Sequence, residues 1–119
     1  MAVSWFQMNH QIVQNKDDVI SVKYDVAGSP VDVSAWVCYY DINDEYKSDT
    51  LAYTSAAGEI TFTDSGTGTV DTININLAAA DTDLAVGTYD HEMTATISGS
   101  DTSLFRGKMT FLDEHSPAA

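Results

Sequence analysis

The chain has 119 residues, with 18 acidic against five basic side chains and a net charge of −13. That length fits one domain with one core, and an apolar fraction of 44% excludes wholesale disorder. The few cations, Lys16, Lys23, Lys47, Arg106 and Lys108, are scattered, which argues against nucleic acid and against an anionic membrane surface as partners. Cys38 is the single cysteine, so an internal disulfide is excluded. No secretory-leader pattern follows Met1 and no apolar run is long enough to span a bilayer, so the expectation is a protein made in the cytoplasm.

Alternating runs separated by turn residues recur along the chain, and helical periodicity is absent over any full window. Phe6, Met8, His10 and Ile12 form the first alternation, and Asn15 to Asp18 breaks it. Ile20, Val22, Tyr24 and Val26 then share one face while Ser21, Lys23 and Asp25 share the other, which predicts a half-buried strand. Ala27-Gly28-Ser29-Pro30 is a turn. Val31 to Ser34 leads into Ala35-Trp36-Val37-Cys38-Tyr39-Tyr40, apolar on both faces and so a central strand beginning at Trp36.

Asp41 to Thr50 reads as a long acidic loop, and Leu51 to Tyr53 as a short edge strand. Ile60 and Phe62 alternate before Asp64-Ser65-Gly66-Thr67-Gly68, the strongest hairpin signal in the chain. Val70, Ile73, Ile75 and Leu77 follow with a one-residue slip, which predicts a β-bulge at Asp71-Thr72. Ala78 to Leu84 reads as one helical turn crossing between sheets. Tyr89, His91, Met93, Ala95 and Ile97 make a long strand, Ser98 to Thr102 a loop, and Phe105, Gly107, Met109 and Phe111 a last strand. The expected fold is one all-β domain over residues 1–119, an antiparallel immunoglobulin-like sandwich of about seven or eight strands. It has an N-terminal arm at 1–14 and a loose tail at 113–119. Trp36 is placed as a buried core residue, and Tyr89, after Gly87, as a largely buried tyrosine corner.

The turn and core motifs carry a resemblance. Gly28 to Asp32, Asp64 to Val70, Ala79 to Thr82, Gly87 to Tyr89 and Leu104 to Phe111 together are similar to the immunoglobulin-like structural proteins of tailed-phage virions, notably the N-terminal domain of baseplate upper proteins. The resemblance implies a non-enzymatic adaptor or decoration module of tail, baseplate or capsid. It implies virion localisation after synthesis in the host cytoplasm. The implied partners are other virion proteins, with the chain as a symmetric homo-oligomer or as repeated copies on a particle. A carbohydrate-binding module is the alternative, and an enzyme subunit or inhibitor a third reading.

Candidate chemistry is thin. Cys38 with His91 as base has no local signature, and alternation places the thiol in the core. Asp41-Ile42-Asn43-Asp44-Glu45 starts like a calcium loop, but Tyr46 stands where glycine is needed and Ala52 where glutamate is needed. His10, His91 and His115 lack metal-ligand spacing. His91, in phase with Tyr89 and Met93, reads as a satisfied core histidine or an interface residue, and Asp90 with Glu92 as a carboxylate pair on the opposite face. Gly66 and Gly68 come with no lysine and form no phosphate loop. No catalytic, cofactor or metal residue is assigned, and no cofactor is expected. The expected contact residues are Trp5, Phe6 and Met8 of the arm, and Tyr39, Tyr46 and Tyr53 around the acidic loop.

Overall fold

A computed structural model describes residues 6–44, 49–82, 84–85 and 87–112. The strands are β1 (Phe6–Gln7), β2 (His10–Val13), β3 (Asp18–Lys23), β4 (Asp25–Val26), β5 (Ser29–Pro30), β6 (Val37–Asn43), β7 (Asp49–Thr54), β8 (Ile60–Asp64), β9 (Val70–Leu77), β10 (Gly87–Ile97) and β11 (Ser100–Leu112). Among the described residues there is no helix. A six-stranded sheet runs β1-β11-β10-β6-β7, with β2 also paired to β11, and a three-stranded sheet runs β3-β9-β8. Inward positions of the two sheets meet in one core. Tyr40, Ile42, Met93, Phe105, Met109 and Phe111 come from the larger sheet, and Ile20, Val22, Ile60, Ile73, Ile75 and Leu77 from the smaller. The all-β sandwich expected from alternation is the observed fold.

Turn chemistry explains most connections. Ala27 and Gly28 both take positive φ, 52° and 85°, the backbone that a two-residue hairpin between β4 and β5 requires. Ser98 and Gly99 repeat the device at 51° and 83°. The expected loop at Ser98 to Thr102 is therefore corrected to a tight turn, and β10 and β11 stay paired up to Ile97 opposite Ser100.

The slip at Asp71 is a bulge, as expected: Thr63 faces Thr72 but Asp64 faces Val70, leaving Asp71 as the extra residue. Its carboxylate is solvent-inaccessible beneath the hairpin. It accepts from the Ser65 amide and hydroxyl, from Thr67 Oγ1 and from Thr72 Oγ1. Burial pushes its acidity the other way, but these donors hold the carboxyl below its usual range. Asp64 accepts from the amides of Gly66, Thr67 and Gly68 and is held low by them.

The crossing from β9 to β10 opens with a single turn, with the amides of Asp81 and Thr82 on the Ala78 carbonyl. Tyr53 fixes it from the other sheet, donating to Asp81 at 2.7 Å and accepting from the Ala78 amide.

Three further expectations are corrected. The acidic loop is shorter, because β6 runs on to Asn43 and β7 starts at Asp49. Asp41 and Asn43 are the outward positions of an amphipathic strand whose inward positions are Tyr40 and Ile42. The central strand begins at Val37, and Trp36 lies in the preceding turn, its amide on the Val33 carbonyl. It is buried there edge-on to Tyr24. The N-terminal arm is no free extension: β1 and β2 pair in parallel with β11, and Ile12 is a core residue. The tail at 113–119 lies outside the described residues.

Candidate functional site

Strand β10 separates two layers of chemistry, because successive residues point to opposite faces. Asp90 and Glu92 point outward, and His91 points into the core.

On the outer face, Asp90 lies between Asn43 and Lys108, and Glu92 lies between Asp41 and Arg106. Lys108 Nζ donates to Asp90 Oδ1 at 2.5 Å. Glu92 Oε2 accepts from the Ser103 hydroxyl at 2.9 Å and pairs with Arg106 at 3.3 Å. These cross-strand bonds orient the carboxylates without burying them. Asn43, Asp90, Glu92, Arg106 and Lys108 border a groove of about 510 Å³ that has Gly107 among its lining residues. Further along the same face, Val37 and Tyr39 of β6 stand 41% and 46% exposed, opposite Thr96 and Thr94.

On the inner face, His91 is 1% exposed. Its Nε2 donates to the Met8 carbonyl at 2.6 Å, since a carbonyl only accepts. Because burial disfavours the charged ring, Nδ1 is unprotonated near neutral pH and accepts from the Tyr40 hydroxyl at 2.8 Å. Burial lowers the basicity of the ring, with His10 adding to this, while the Met8 carbonyl and Asp90 oppose it. Burial pushes the Tyr40 phenol well above its usual range.

The backbone at Met8 reaches this depth because Gly107 lies beside it: a Cβ there would stand 2.0 Å from the Met8 oxygen. Glycine inside a strand often marks such a close approach. That signal was present in the sequence, and the Met8–Gly107–His91 arrangement was not drawn from it.

Cys38 is fully buried, and burial pushes its thiol up to about 12. It pairs with Ala95 while His91 pairs with Ile42. Four strand positions separate thiol and imidazole, about 13 Å, so they form no nucleophile–base pair. The start of the calcium-like segment is strand, and Glu45 and Tyr46 lie outside the described residues. Among the described residues no group of three or more His, Cys, Asp or Glu is placed to hold a metal ion.

Of the six residues expected at an interface, the four described ones are not brought together. Phe6 is half-exposed and tilted against Phe105 at 5.8 Å. Met8 packs partly buried on the core, and Tyr39 is exposed on the outer face. Tyr53 is a correction: it is 2% exposed, and its hydroxyl is spent on Asp81. Trp5 and Tyr46 lie outside the described residues. Tyr89 is half-buried rather than largely buried, but it makes the corner bond, donating to the Ala85 carbonyl at 2.8 Å.

Fold and site together define an immunoglobulin-like β-sandwich with an outward charged groove. No family model matches the chain, and no curated protein matches it. Among solved structures, the crystal structure of CopC from Methylosinus trichosporium OB3b is similar at 12% identity and a TM-score of 0.50, over 93% of this chain and 89% of that chain. At that identity the likeness is one of fold. The virion expectation is corrected: this similar structure is CopC, and neither the family models nor the curated proteins supply a phage relative in its support. The motifs behind that expectation, Asp64 to Val70 above all, make turns and bulges that a sandwich needs whatever its role. Of the tyrosines that a glycan-binding face would use, Tyr53 is inside the core and Tyr39 is exposed.

Proposed function

We propose that the chain is a non-enzymatic recognition domain that binds a basic segment of a partner protein on the outer face of its six-stranded sheet. The observation that carries this is the row formed by Asp41, Glu92 and Arg106 beside the row Asn43, Asp90 and Lys108, on a molecule of net charge −13. The carboxylates are pre-oriented by cross-strand bonds to Lys108, Arg106 and Ser103, and with Asp41 they outnumber the two cations of the face, so a cationic partner is drawn to share them. Exposed Tyr39 and Val37 supply the apolar anchor that a charged rim alone lacks. The groups with catalytic potential, His91 and Cys38, are buried away from this face.

The test is titration with an octa-lysine peptide, followed by amide chemical-shift mapping. Shifts should concentrate on residues 39–43 and 90–92. Asp90→Asn/Glu92→Gln should weaken binding about tenfold, the order of two lost charge pairs. Asp25→Asn/Asp32→Asn, with the same change in net charge and outside the groove, should weaken it less than about twofold. Equal weakening in both variants would mean that only net charge is being read, and would overturn the groove.

A further inference from the structure

We propose that the N-terminal edge segment, Phe6–Val13, is a latch held closed by neutral His91 and released when that imidazole takes up a proton.

The cover over His91 is unequal. Tyr40 of β6 and Phe105 of β11 close it with rings 5.7 and 5.2 Å from the imidazole. Both belong to strands paired on two sides. Met8, whose carbonyl takes the Nε2 proton, covers it from a segment paired to β11 on one side only. That pairing is broken in the middle: Phe6 and Gln7 face Phe105 and Arg106, and the ladder resumes only at His10 opposite Met109. Between them the Met8 carbonyl turns to His91, and the Asn9 side chain takes the Lys108 amide. A short, interrupted edge costs the least to open.

A charged His91 is poorly served in this pocket. Among the described residues its ring nitrogens bond only Tyr40 and the Met8 carbonyl, both neutral. Of the charged groups nearby, Asp90 on its own strand is paired with Lys108 of β11 across the outer face, and Arg106 of β11 is paired with Glu92. From the N-terminal segment itself, His10 is the facing titratable group, bonded to Asp18. Protonation at Nδ1 also ends its role as acceptor for the Tyr40 hydroxyl. The imidazolium reaches water most cheaply by lifting Met8 off Gly107, because the other covers are interior strands. Burial already weakens the ring's hold on a proton in the closed state. The closed state is therefore favoured above the ordinary histidine range and loses ground as pH falls through and below it. Opening bares the Phe105 ring under Phe6 and the outer edge of β11, a template for another strand.

Amide exchange of the full chain at pH 7.5 and 5.0, corrected for intrinsic rates, tests the latch. The reporters are the Met8 amide, bonded to the Arg106 carbonyl, and the Gln14 amide, bonded to the Leu112 carbonyl. Their protection should fall about tenfold or more at pH 5.0, with β6 and β9 still protected. His91→Gln should abolish that pH response, and His10→Gln should retain it. Gly107→Ala, which displaces Met8 without touching the imidazole, should leave both reporters poorly protected at both pH values. Reporter protection that is unchanged with pH, is lost together with β6 and β9, or still responds in His91→Gln would overturn the latch.

Discussion

The hydroxyl of Tyr40 donates to Nδ1 of His91 at 2.8 Å, deep between the sheets. Each partner answers the other's buried polar atom, so neither is replaced without cost. Tyr40→Phe should destabilise the fold by about 1–3 kcal/mol, because it strands a buried acceptor. Urea unfolding at pH 7.5 measures it, and an unchanged midpoint would mean that the imidazole finds another donor.

Tyr24 makes the opposite case. Its hydroxyl is buried with no hydrogen-bond partner among the described residues, and burial, with Cys38 adding, pushes the phenol far up. Tyr24→Phe removes an unsatisfied group and keeps the ring edge-on to Trp36. It should be neutral or stabilise by up to about 1 kcal/mol. A loss of more than that, in the same unfolding experiment, would reveal a partner for the hydroxyl.

The corner bond of Tyr89 is shallower. Its hydroxyl reaches the Ala85 carbonyl near solvent, while its ring stands edge-on to Phe111 at 5.3 Å. Tyr89→Phe should cost about 0.5–1 kcal/mol, and Tyr89→Ala distinctly more through lost packing. Thermal unfolding of the two variants side by side checks the order.

Asp64 and Asp71 give the hairpin an acid limit. Both carboxyls are held below their ordinary range by donors that exist only in the folded turn. Their contribution is present above the unfolded aspartate pKa and is lost as pH falls through the folded values. Asp71→Asn should therefore lower stability at pH 7 and flatten its decline toward pH 3. Denaturation midpoints across that range would show it, and a decline as steep as that of the parent chain would contradict it.

The Cys38 thiol, pushed up to about 12 by burial, stays protonated at pH 8. A disulfide-exchange reagent such as Ellman's should leave it unmodified in the folded chain and titrate it at once in denaturant. Rapid modification under native conditions would place the thiol at the surface.

Much of the fold was legible because it rests on period two and on turn residues. Ile20 and Val22 opposite Ser21 and Lys23 announced β3, and the slip at Asp71 announced its bulge. Where an outward row is acidic, the same logic misleads: Asp41 and Asn43 read as loop, although Tyr40 and Ile42 kept the alternation. Leu104 was hidden for another reason. It is the extra residue where Met93 faces Phe105 and Thr94 faces Ser103, so two successive side chains are buried. The groove was less legible still. Asp90 and Glu92 were visible as a pair, but their partners Lys108 and Arg106 meet them only through strand register. Function was not written in the turn motifs, because such motifs record what the backbone demands.

The parallel pairing of Phe6–Val13 with the far end of the chain sets an order on folding. Asn9 holds Lys108 across a sequence separation of 99 residues, so that seam has to wait until nearly all of the chain is available. Closing so long a loop carries a large entropic cost that local hairpins avoid. During synthesis the hairpin of β8 and β9 can form early, whereas β1 and β2, made before it, are among the last to find their place. Until then Phe6 and Ile12 remain uncovered, and the nascent chain depends on its strong negative charge to stay apart from its neighbours.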